Sequence, residues 1–103
     1  MTRVELARLL DHSVLKPEST EADIIAGADL VRRWAIGFYC VQPSFVSVAA
    51  GALEGSGARV VSVVGFPHGC ARSVAKVQEA TLAVQDGASE VDMVLNVGKL
   101  KSG

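Results

Sequence analysis

The segment Arg59–Val64 (RVVSVV) constrains the fold of this chain more than any other feature of its sequence. It is rich in β-branched side chains and almost continuously apolar, which is typical of a strand that is covered on both faces. Strands of this kind belong to parallel sheets, in which a helix usually connects one strand to the next. The segment therefore predicts an α/β fold built on a parallel sheet.

Helix and strand patterns alternate along the rest of the chain. Capping boxes at Thr2-x-x-Glu5 and Thr20-x-x-Asp23 predict the starts of two helices, the first of them short. Apolar runs predict strands at residues 37–41 and 90–97. The short, mixed segment 11–15 predicts a third, because Pro17 favours extended backbone in the residue before it. The predicted order is α-β-α-β-α-β-α-β. Because no linker or low-complexity tract divides it, residues 1–103 are interpreted as one structural unit.

Two more helices are predicted, one on each side of Arg59–Val64 along the chain. Pro43 can begin the first, because the first helical residue needs no amide hydrogen, and the glycines of Gly55-Ser56-Gly57 can end it. The second is expected to end before Gly87 and to bury one stripe of side chains, formed by Val74, Val77, Thr81 and Val84.

The charge and apolar runs of the chain exclude several classes of partner. Its 10 Lys and Arg against 11 Asp and Glu give a net charge of -1, with no basic run to attract nucleic acid or an anionic membrane. The N-terminus lacks a signal-peptide core, and no apolar run approaches the ~20 residues that span a bilayer. Cys40 and Cys70 are expected to stay reduced. We therefore expect a cytosolic (cytoplasmic) protein that acts on a small metabolite.

The fourth predicted strand carries the most informative pattern. Side chains alternate between the faces of a strand, so Asp92 and Asn96 share a face. In a βα barrel both would point into the interior, where an unpaired charge is costly. The opposite face would pack beneath helices through Val91, Met93, Leu95 and Val97. Asp92 is thus a candidate catalytic carboxylate, unless it forms a structural ion pair or the strand is an edge with one solvated face.

Asp11 and Cys40 are also candidate site residues, but each could instead have a purely structural role. Asp11 begins the first predicted strand, but it could instead cap a helix or form a surface pair. Cys40 is expected near the carboxyl end of the second strand, where it could be a nucleophile or, more commonly, a small core hydrophobe.

Metal and anion sites receive little support from the sequence. His12, Cys40, His68 and Cys70 fall at or near strand ends, but their spacing matches no short zinc motif, and no metal is expected. The loop 65–69 precedes a helix, whose first amides could hold an anion. Because it has neither a P-loop nor a dinucleotide-binding pattern, a tight turn without a ligand is favoured.

Four motifs together resemble one enzyme family, the deoxyribose-phosphate aldolases. LDHSVLKP at residues 10–17 resembles the first strand of that family, and CVQPSF at 40–45 the second. VVGFPHG at 63–69 is similar to the third, and EVDMVLNVG at 90–98 to the fourth. The resemblance covers essentially the whole chain, and it implies the N-terminal half of a TIM (β/α)8 barrel with four parallel strands and an extra N-terminal helix.

The resemblance also implies a class I aldolase that needs no metal or other cofactor. Such enzymes reversibly cleave 2-deoxy-D-ribose 5-phosphate to D-glyceraldehyde 3-phosphate and acetaldehyde through a Schiff base on lysine. Asp92 matches the aspartate that gives and takes protons in this family. Asp11 matches an aspartate that supports the lysine network, and Cys40 a cysteine that lines the pocket.

The chain departs from the family in one large respect. The Schiff-base lysine and the phosphate-binding loops are carried on later strands, and a complete barrel needs about 250 residues. Lys16, Lys99 and Lys101 do not match the motif that carries the family's Schiff-base lysine, so none is assigned the imine role, and Lys76 lies in a helix. We therefore expect a truncated aldolase whose 103 residues alone are inactive.

Two alternatives remain open at this stage. The chain could be a non-catalytic half-barrel that serves in assembly, or part of another phosphate-handling TIM-barrel enzyme. Because the first and fourth strands would each present an unpaired edge, we expect a homo-oligomer or a swapped or edge-paired assembly.

Overall fold

Four short strands form one parallel sheet in the order in which they occur along the chain. The computed structural model describes residues 1–103 and places β1 at Asp11–Val14, β2 at Phe38–Val41, β3 at Arg59–Val64 and β4 at Glu90–Met93. Each strand pairs in parallel with the next, so β1 and β4 are the two edges of the sheet. The prediction of an α/β half-barrel with four parallel strands is confirmed.

Helices connect the strands, as expected for parallel pairing. The helices are α1 (Arg3–Ala7), α2 (Glu21–Trp34), α3 (Val46–Ala52), α4 (Ser73–Gln85) and α5 (Val97–Ser102), and a 3₁₀ turn at Pro43–Phe45 leads into α3. Both predicted capping boxes are present, at the starts of α1 and α2. None of these helices combines the length and the apolar composition of a bilayer-spanning segment.

The extra helix α1 is tied to the amino-terminal end of the sheet. The amide of Gly37 donates to the carbonyl of Ala7 at 3.0 Å, and the amide of Phe38 donates to the carbonyl of Leu10 at 3.1 Å. A Cβ at Gly37 would collide with the carbonyl of Arg8, so this close approach requires glycine. The helix is therefore held in place by backbone contacts at the start of β2.

The two faces of the sheet bury different sets of side chains. One face packs against α2 and α3, where Tyr39, Val41 and Val60 join the core of those helices. The hydroxyl of Tyr39 donates to the carbonyl of Ile24 at 2.7 Å. The opposite face, which we call the concave face, carries a smaller apolar cluster made of Cys40, Val61 and Val63, with Leu15 and Phe38 packed against it. Alternation along each strand thus separates the helix-covered core from the concave face.

The fourth strand is shorter than predicted. It ends at Met93, and Asn96 begins α5 instead, because its side chain accepts a hydrogen bond from the amide of Lys99 at 3.0 Å. The prediction that Asn96 points into the barrel interior is therefore wrong. Val91 and Met93 are 39% and 55% exposed rather than covered by helices, because β4 is an edge strand.

The predicted buried stripe of α4 is also wrong. Val74 and Val77 are 65% and 64% exposed, and Thr81 and Val84 are exposed as well. The face of α4 that meets the sheet is formed instead by Lys76, Glu79, Ala80 and Ala83. The small side chains of Ala80 and Ala83 allow α4 to pack closely on the sheet. Lys76 and Glu79 form hydrogen bonds with the backbone of Val94 and Gly65, so this face of α4 meets the sheet and the valines lie away from it.

Candidate active site

Asp11, Cys40 and Asp92 come together on the concave face of the sheet. A carboxylate oxygen of each aspartate and the sulfur of Cys40 all lie within 4.8 Å of one another. Cys40 belongs to the apolar cluster of that face, and Asp92 aligns in register with Val63 of the same cluster. Three strands, β1, β2 and β4, therefore each contribute one polar side chain to the group that we call the acidic cluster.

The environment of Asp11 favours its protonated form. Burial is the largest cause that raises the pKa of this carboxyl, followed by the negative charges of Asp92 and then Glu90, whereas His12 acts in the opposite direction. Two neighbouring carboxylates resist simultaneous ionisation, so Asp11 holds its proton at a pH where an isolated aspartate would have lost it.

Cys40 is unsuited to be a nucleophile in this environment. Burial, together with the charges of Asp11 and Asp92, raises the pKa of its thiol to about 11, although a hydrogen bond with Ser13 acts in the opposite direction. The side chain is 3% exposed. A neutral, buried thiol is neither nucleophilic nor a good metal ligand, so Cys40 contributes shape and apolar surface to the site.

A cleft of about 780 Å³ lies at the carboxyl ends of β1, β2 and β3. Ser13 and Val63 are part of its wall, and they are the register partners of Cys40 and Asp92. Gln42 also lines the cleft, and its side-chain amide donates to the carbonyl of Lys16 at 2.9 Å. The cleft therefore adjoins the acidic cluster at the end of the sheet where α/β barrels hold their active sites.

The loop between β3 and α4 is a tight turn that is fixed on both sides. The amide of Gly65 donates to the carboxylate of Glu79 at 2.8 Å, and the amide of Gly69 donates to the carbonyl of Gly65 at 2.7 Å. Both glycines have positive φ, and a Cβ at Gly69 would collide with the carbonyl of Leu95. Because these contacts use two of the amides of the loop, the tight-turn interpretation is favoured over an anion site.

Lys76 and Glu79 are charged residues of α4 that form hydrogen bonds near this site, and the sequence analysis did not select either as a site residue. Lys76 is half-buried, and its ammonium group donates to the carbonyl of Val94 at 2.8 Å, just beyond β4. Glu79 lines the cleft and holds Gly65. The only signal in the sequence is the i, i+3 spacing of two charged residues, which is far more often a solvated face.

The zinc arrangement considered from the sequence is not formed. The one group of three or more potential ligands consists of Asp11, Cys40 and Asp92. His12 lies on the other face of the sheet, where its ring stacks on Tyr39 with 5.8 Å between centroids. His68 and Cys70 are exposed in the loop after β3, and both cysteines are free thiols. Of the remaining lysines, Lys16 lines the cleft, whereas Lys99 and Lys101 lie on α5.

Comparison with curated proteins identifies the family. A deoxyribose-phosphate aldolase from Clostridium kluyveri is 45% identical over 103 residues, which are 100% of this chain and 47% of the relative. Another from Clostridium botulinum is 41% identical over 100 residues, which are 97% of this chain and 47% of the relative. The chain belongs to the deoxyribose-phosphate aldolase family. It spans about half the length of these aldolases. No protein-family model matches the chain.

Solved structures from the aldolase family share this fold. A structure from Coccidioides immitis, assigned to the deoxyribose-phosphate aldolases, superposes with a TM-score of 0.94 at 34% identity and matches 99% of this chain and 40% of its own. The tetrameric deoxyribose-phosphate aldolase from Aeropyrum pernix superposes with a TM-score of 0.88 at 28% identity, over 95% of this chain and 42% of its own. In both structures the matched unit is less than half of the chain.

Proposed function

We propose that this chain supplies part of the active site of a deoxyribose-phosphate aldolase. The proposed reaction is the reversible cleavage of 2-deoxy-D-ribose 5-phosphate to D-glyceraldehyde 3-phosphate and acetaldehyde through a lysine Schiff base. The observation that carries the proposal is the meeting of Asp92 with Asp11 and Cys40 on the concave face, since the resemblance assigns these positions to the site.

Asp92 is proposed as the group that moves protons. Cleavage of the carbon–carbon bond requires a base that takes the proton of the substrate hydroxyl while the bonding electrons move toward the imine. The same group, now protonated, returns a proton to the carbon of the resulting enamine. Asp11 lies beside Asp92, and its raised pKa lets Asp11 keep a proton close to the proposed base.

Cys40 and Asp11 are proposed as supporting residues. Cys40 would form part of the pocket wall, because its neutral thiol excludes water without competing for the imine. The proposed substrate is a small phosphorylated sugar, and the proposed protein is cytoplasmic and requires no cofactor. We also propose a homo-oligomeric assembly for the complete enzyme.

This chain by itself is proposed to be inactive. An imine lysine needs desolvation or a neighbouring cation to lower its pKa. Lys16 is exposed at the cleft, and Lys99 and Lys101 are exposed on α5, so none of these three side chains is desolvated. Borohydride reduction in the presence of deoxyribose 5-phosphate, followed by mass spectrometry, is expected to leave the chain unmodified. A substrate-dependent adduct on one of these lysines would contradict the proposed inactivity.

The proposed activity is tested by restoring the remainder of the molecule. The chain is joined to the part of the Clostridium kluyveri aldolase that it does not match, and acetaldehyde release from deoxyribose 5-phosphate is measured. The fused protein is expected to cleave the substrate and to form a borohydride-trapped adduct in the Clostridium part. A folded fused protein with neither property would contradict the proposed function.

A further inference from the structure

Two charged side chains of α4 bond to the carboxyl ends of two neighbouring strands. The carboxylate of Glu79 accepts a hydrogen bond from the amide of Gly65, the residue after β3, at 2.8 Å. The ammonium group of Lys76 donates to the carbonyl of Val94, the residue after β4, also at 2.8 Å. We call Lys76 and Glu79 the α4 pair. It ties one helix to both strands at the end of the sheet where the cleft lies.

The backbone groups that the α4 pair holds also bond to each other. The amide of Val94 donates to the carbonyl of Val64 at 2.9 Å, which continues the parallel pairing of β3 with β4 beyond Met93. The peptide group between Val64 and Gly65 therefore uses its carbonyl to bond β4 and its amide to bond Glu79. One peptide group thus connects α4, β3 and β4.

The aliphatic part of Lys76 packs on the same peptide. A Cβ at Gly65 would lie 3.0 Å from Cε and 3.5 Å from Cδ of Lys76, so the lysine covers the glycine closely. Both members of the α4 pair are half-buried. A lysine held in this way loses the rotamer freedom that a solvated lysine keeps. The contacts of Lys76 are therefore more specific than those of an ordinary surface charge.

Asp92 lies next to the backbone that the α4 pair fixes. It is two residues before Val94 in the chain, and its register partner Val63 is two residues before Gly65. Alternation along a strand places a residue and the second one after it on the same face, so a shift of the β4 end would move the Asp92 side chain as well. The α4 pair therefore controls the backbone on which the acidic cluster depends.

Lys76 does not line the cleft, so it has no route to a substrate bound there. Its ammonium group already donates to a backbone carbonyl. Glu79 lines the cleft wall, but its carboxylate accepts from the amide of Gly65. Both residues can therefore influence a reaction in the cleft through the backbone groups that they hold.

We infer that Lys76 and Glu79 are positioning residues, which fix the ends of β3 and β4 so that the carboxylate of Asp92 keeps its place in the acidic cluster. This inference rests on the proposed function, in which Asp92 moves protons. A reacting group that is misplaced by about 1 Å can lower a rate by about 100-fold. Loss of either hydrogen bond should therefore lower kcat and leave KM nearly unchanged.

The first test is Lys76→Met in the fused aldolase. Methionine keeps an apolar side chain over Gly65 but removes the donor to Val94. The kcat for deoxyribose 5-phosphate cleavage is expected to fall by about tenfold, with KM within about twofold of the parent value. Arg72→Met is the matched control, because it removes an exposed cation without a capping bond at the start of the same helix, and kcat should stay within about twofold. Equal losses in the two variants would overturn the inference.

Two variants of Glu79 test the second hydrogen bond. Glu79→Gln keeps a side-chain oxygen that can accept from the amide of Gly65, whereas Glu79→Leu removes the acceptor. Glu79→Leu is expected to lower kcat by about tenfold, and Glu79→Gln by less than about threefold. If glutamine were as harmful as leucine, the bond to Gly65 would not be the reason for the effect, and the positioning role of Glu79 would be contradicted.

A double-mutant cycle distinguishes positioning of Asp92 from a general effect on the fold. In the Asp92→Asn background the carboxylate to be positioned is gone, so Lys76→Met should lower kcat by less than about twofold. A tenfold loss in that background too would mean that Lys76 does not act through Asp92, and it would overturn the inference.

Hydrogen exchange separates this inference from the proposed function, because it needs no turnover. In the fused protein, Lys76→Met is expected to speed exchange of the Val94 amide by at least about fivefold, and Arg72→Met to change it by less than about twofold. An inactive parent with this exchange pattern would contradict the function and support the hold of the α4 pair on β4. An active parent whose kcat and Val94 exchange both ignore Lys76→Met would overturn the inference and leave the function intact.

Discussion

The carboxyl groups of Asp11 and Asp92 approach within 4.8 Å of each other, although they belong to the two opposite edge strands of the sheet. The curvature of a half-barrel brings these edges toward a common interior, and the sulfur of Cys40 lies beside both carboxyl groups. The acidic cluster is therefore a product of the fold, since no short sequence motif contains its three residues.

The raised pKa of Asp11 gives the fold a defined response to pH. The folded state holds the Asp11 proton more tightly than the unfolded chain does, and this proton therefore stabilises the fold. Its contribution to the free energy of unfolding is fully present below the unfolded-state pKa of Asp11 and is lost as pH rises through the folded-state pKa. Asp11→Asn is therefore expected to raise the urea midpoint relative to the native chain at about pH 7, and to change it little at about pH 3. A higher midpoint for the native chain at neutral pH would contradict this.

Asp23 provides a control of opposite sign. Hydrogen bonds from the backbone and side chain of Thr20 lower the pKa of Asp23, so its stabilisation is present above the unfolded-state pKa and is lost as pH falls through the folded-state value. Asp23→Asn is expected to lower the urea midpoint at about pH 7 and to have a diminishing effect toward about pH 3. If both variants changed the urea midpoint in the same direction at neutral pH, the opposite pKa shifts of Asp11 and Asp23 would be contradicted.

The two cysteines are expected to react with iodoacetamide at very different rates. The pKa of Cys40 is raised to about 11 from 9.0, which reduces its thiolate fraction near neutral pH by about 100-fold. Burial slows it further, whereas Cys70 is exposed. Peptide mass spectrometry should find Cys70 alkylated first. Equal rates for the two thiols would mean that Cys40 is accessible and ionised.

Gly27 and Tyr39 are expected to be energetically coupled. A methyl group at Gly27 would collide with the hydroxyl of Tyr39, which is itself bonded to the carbonyl of Ile24. Tyr39→Phe should cost about 1 kcal/mol of unfolding free energy through the lost hydrogen bond. Gly27→Ala should cost less in the Tyr39→Phe background than alone, as measured by a double-mutant cycle in urea. Additive effects would exclude this contact.

The cap of α2 should contribute measurably to stability. The hydroxyl of Thr20 accepts a hydrogen bond from the amide of Asp23 at 3.2 Å. Thr20→Ala is expected to lower the free energy of unfolding by about 1 kcal/mol. Thr81→Ala is the matched control, because Thr81 is exposed within α4 and its hydroxyl bonds only to the carbonyl of Val77, and its effect should stay within about 0.5 kcal/mol. Equal losses would indicate that the cap is not formed.

Local signals in the sequence predicted much of the fold. The capping boxes and the apolar run Arg59–Val64 depend on residues close in sequence, and the structure has them where they were predicted. The end of β4 was missed because Asn96 fits either an alternating strand or a helix cap, and its bond to the amide of Lys99 decides between them. The pattern of neighbouring residues does not show whether Asn96 continues the strand or caps a helix.

Long-range contacts account for the other errors. The valines of α4 have the spacing of a buried stripe, but Lys76 and Glu79 meet the sheet side because their partners are the carbonyl of Val94 and the amide of Gly65. Periodicity carries no information about such partners. Strand pattern alone offered Asp92, Asp11 and Cys40 as separate candidates with ordinary alternatives, and the family resemblance was needed to join them in one site.

The most direct test of the account is the turnover of the fused aldolase with Asp92→Asn. Loss of the proton-transferring carboxylate is expected to lower kcat for deoxyribose 5-phosphate cleavage by at least about 100-fold. Asp86→Asn removes a carboxylate from the exposed end of α4 and should leave kcat within about twofold of the parent. If Asp92→Asn retained the parent kcat in a folded protein, the acidic cluster would not be the acid–base centre of the reaction.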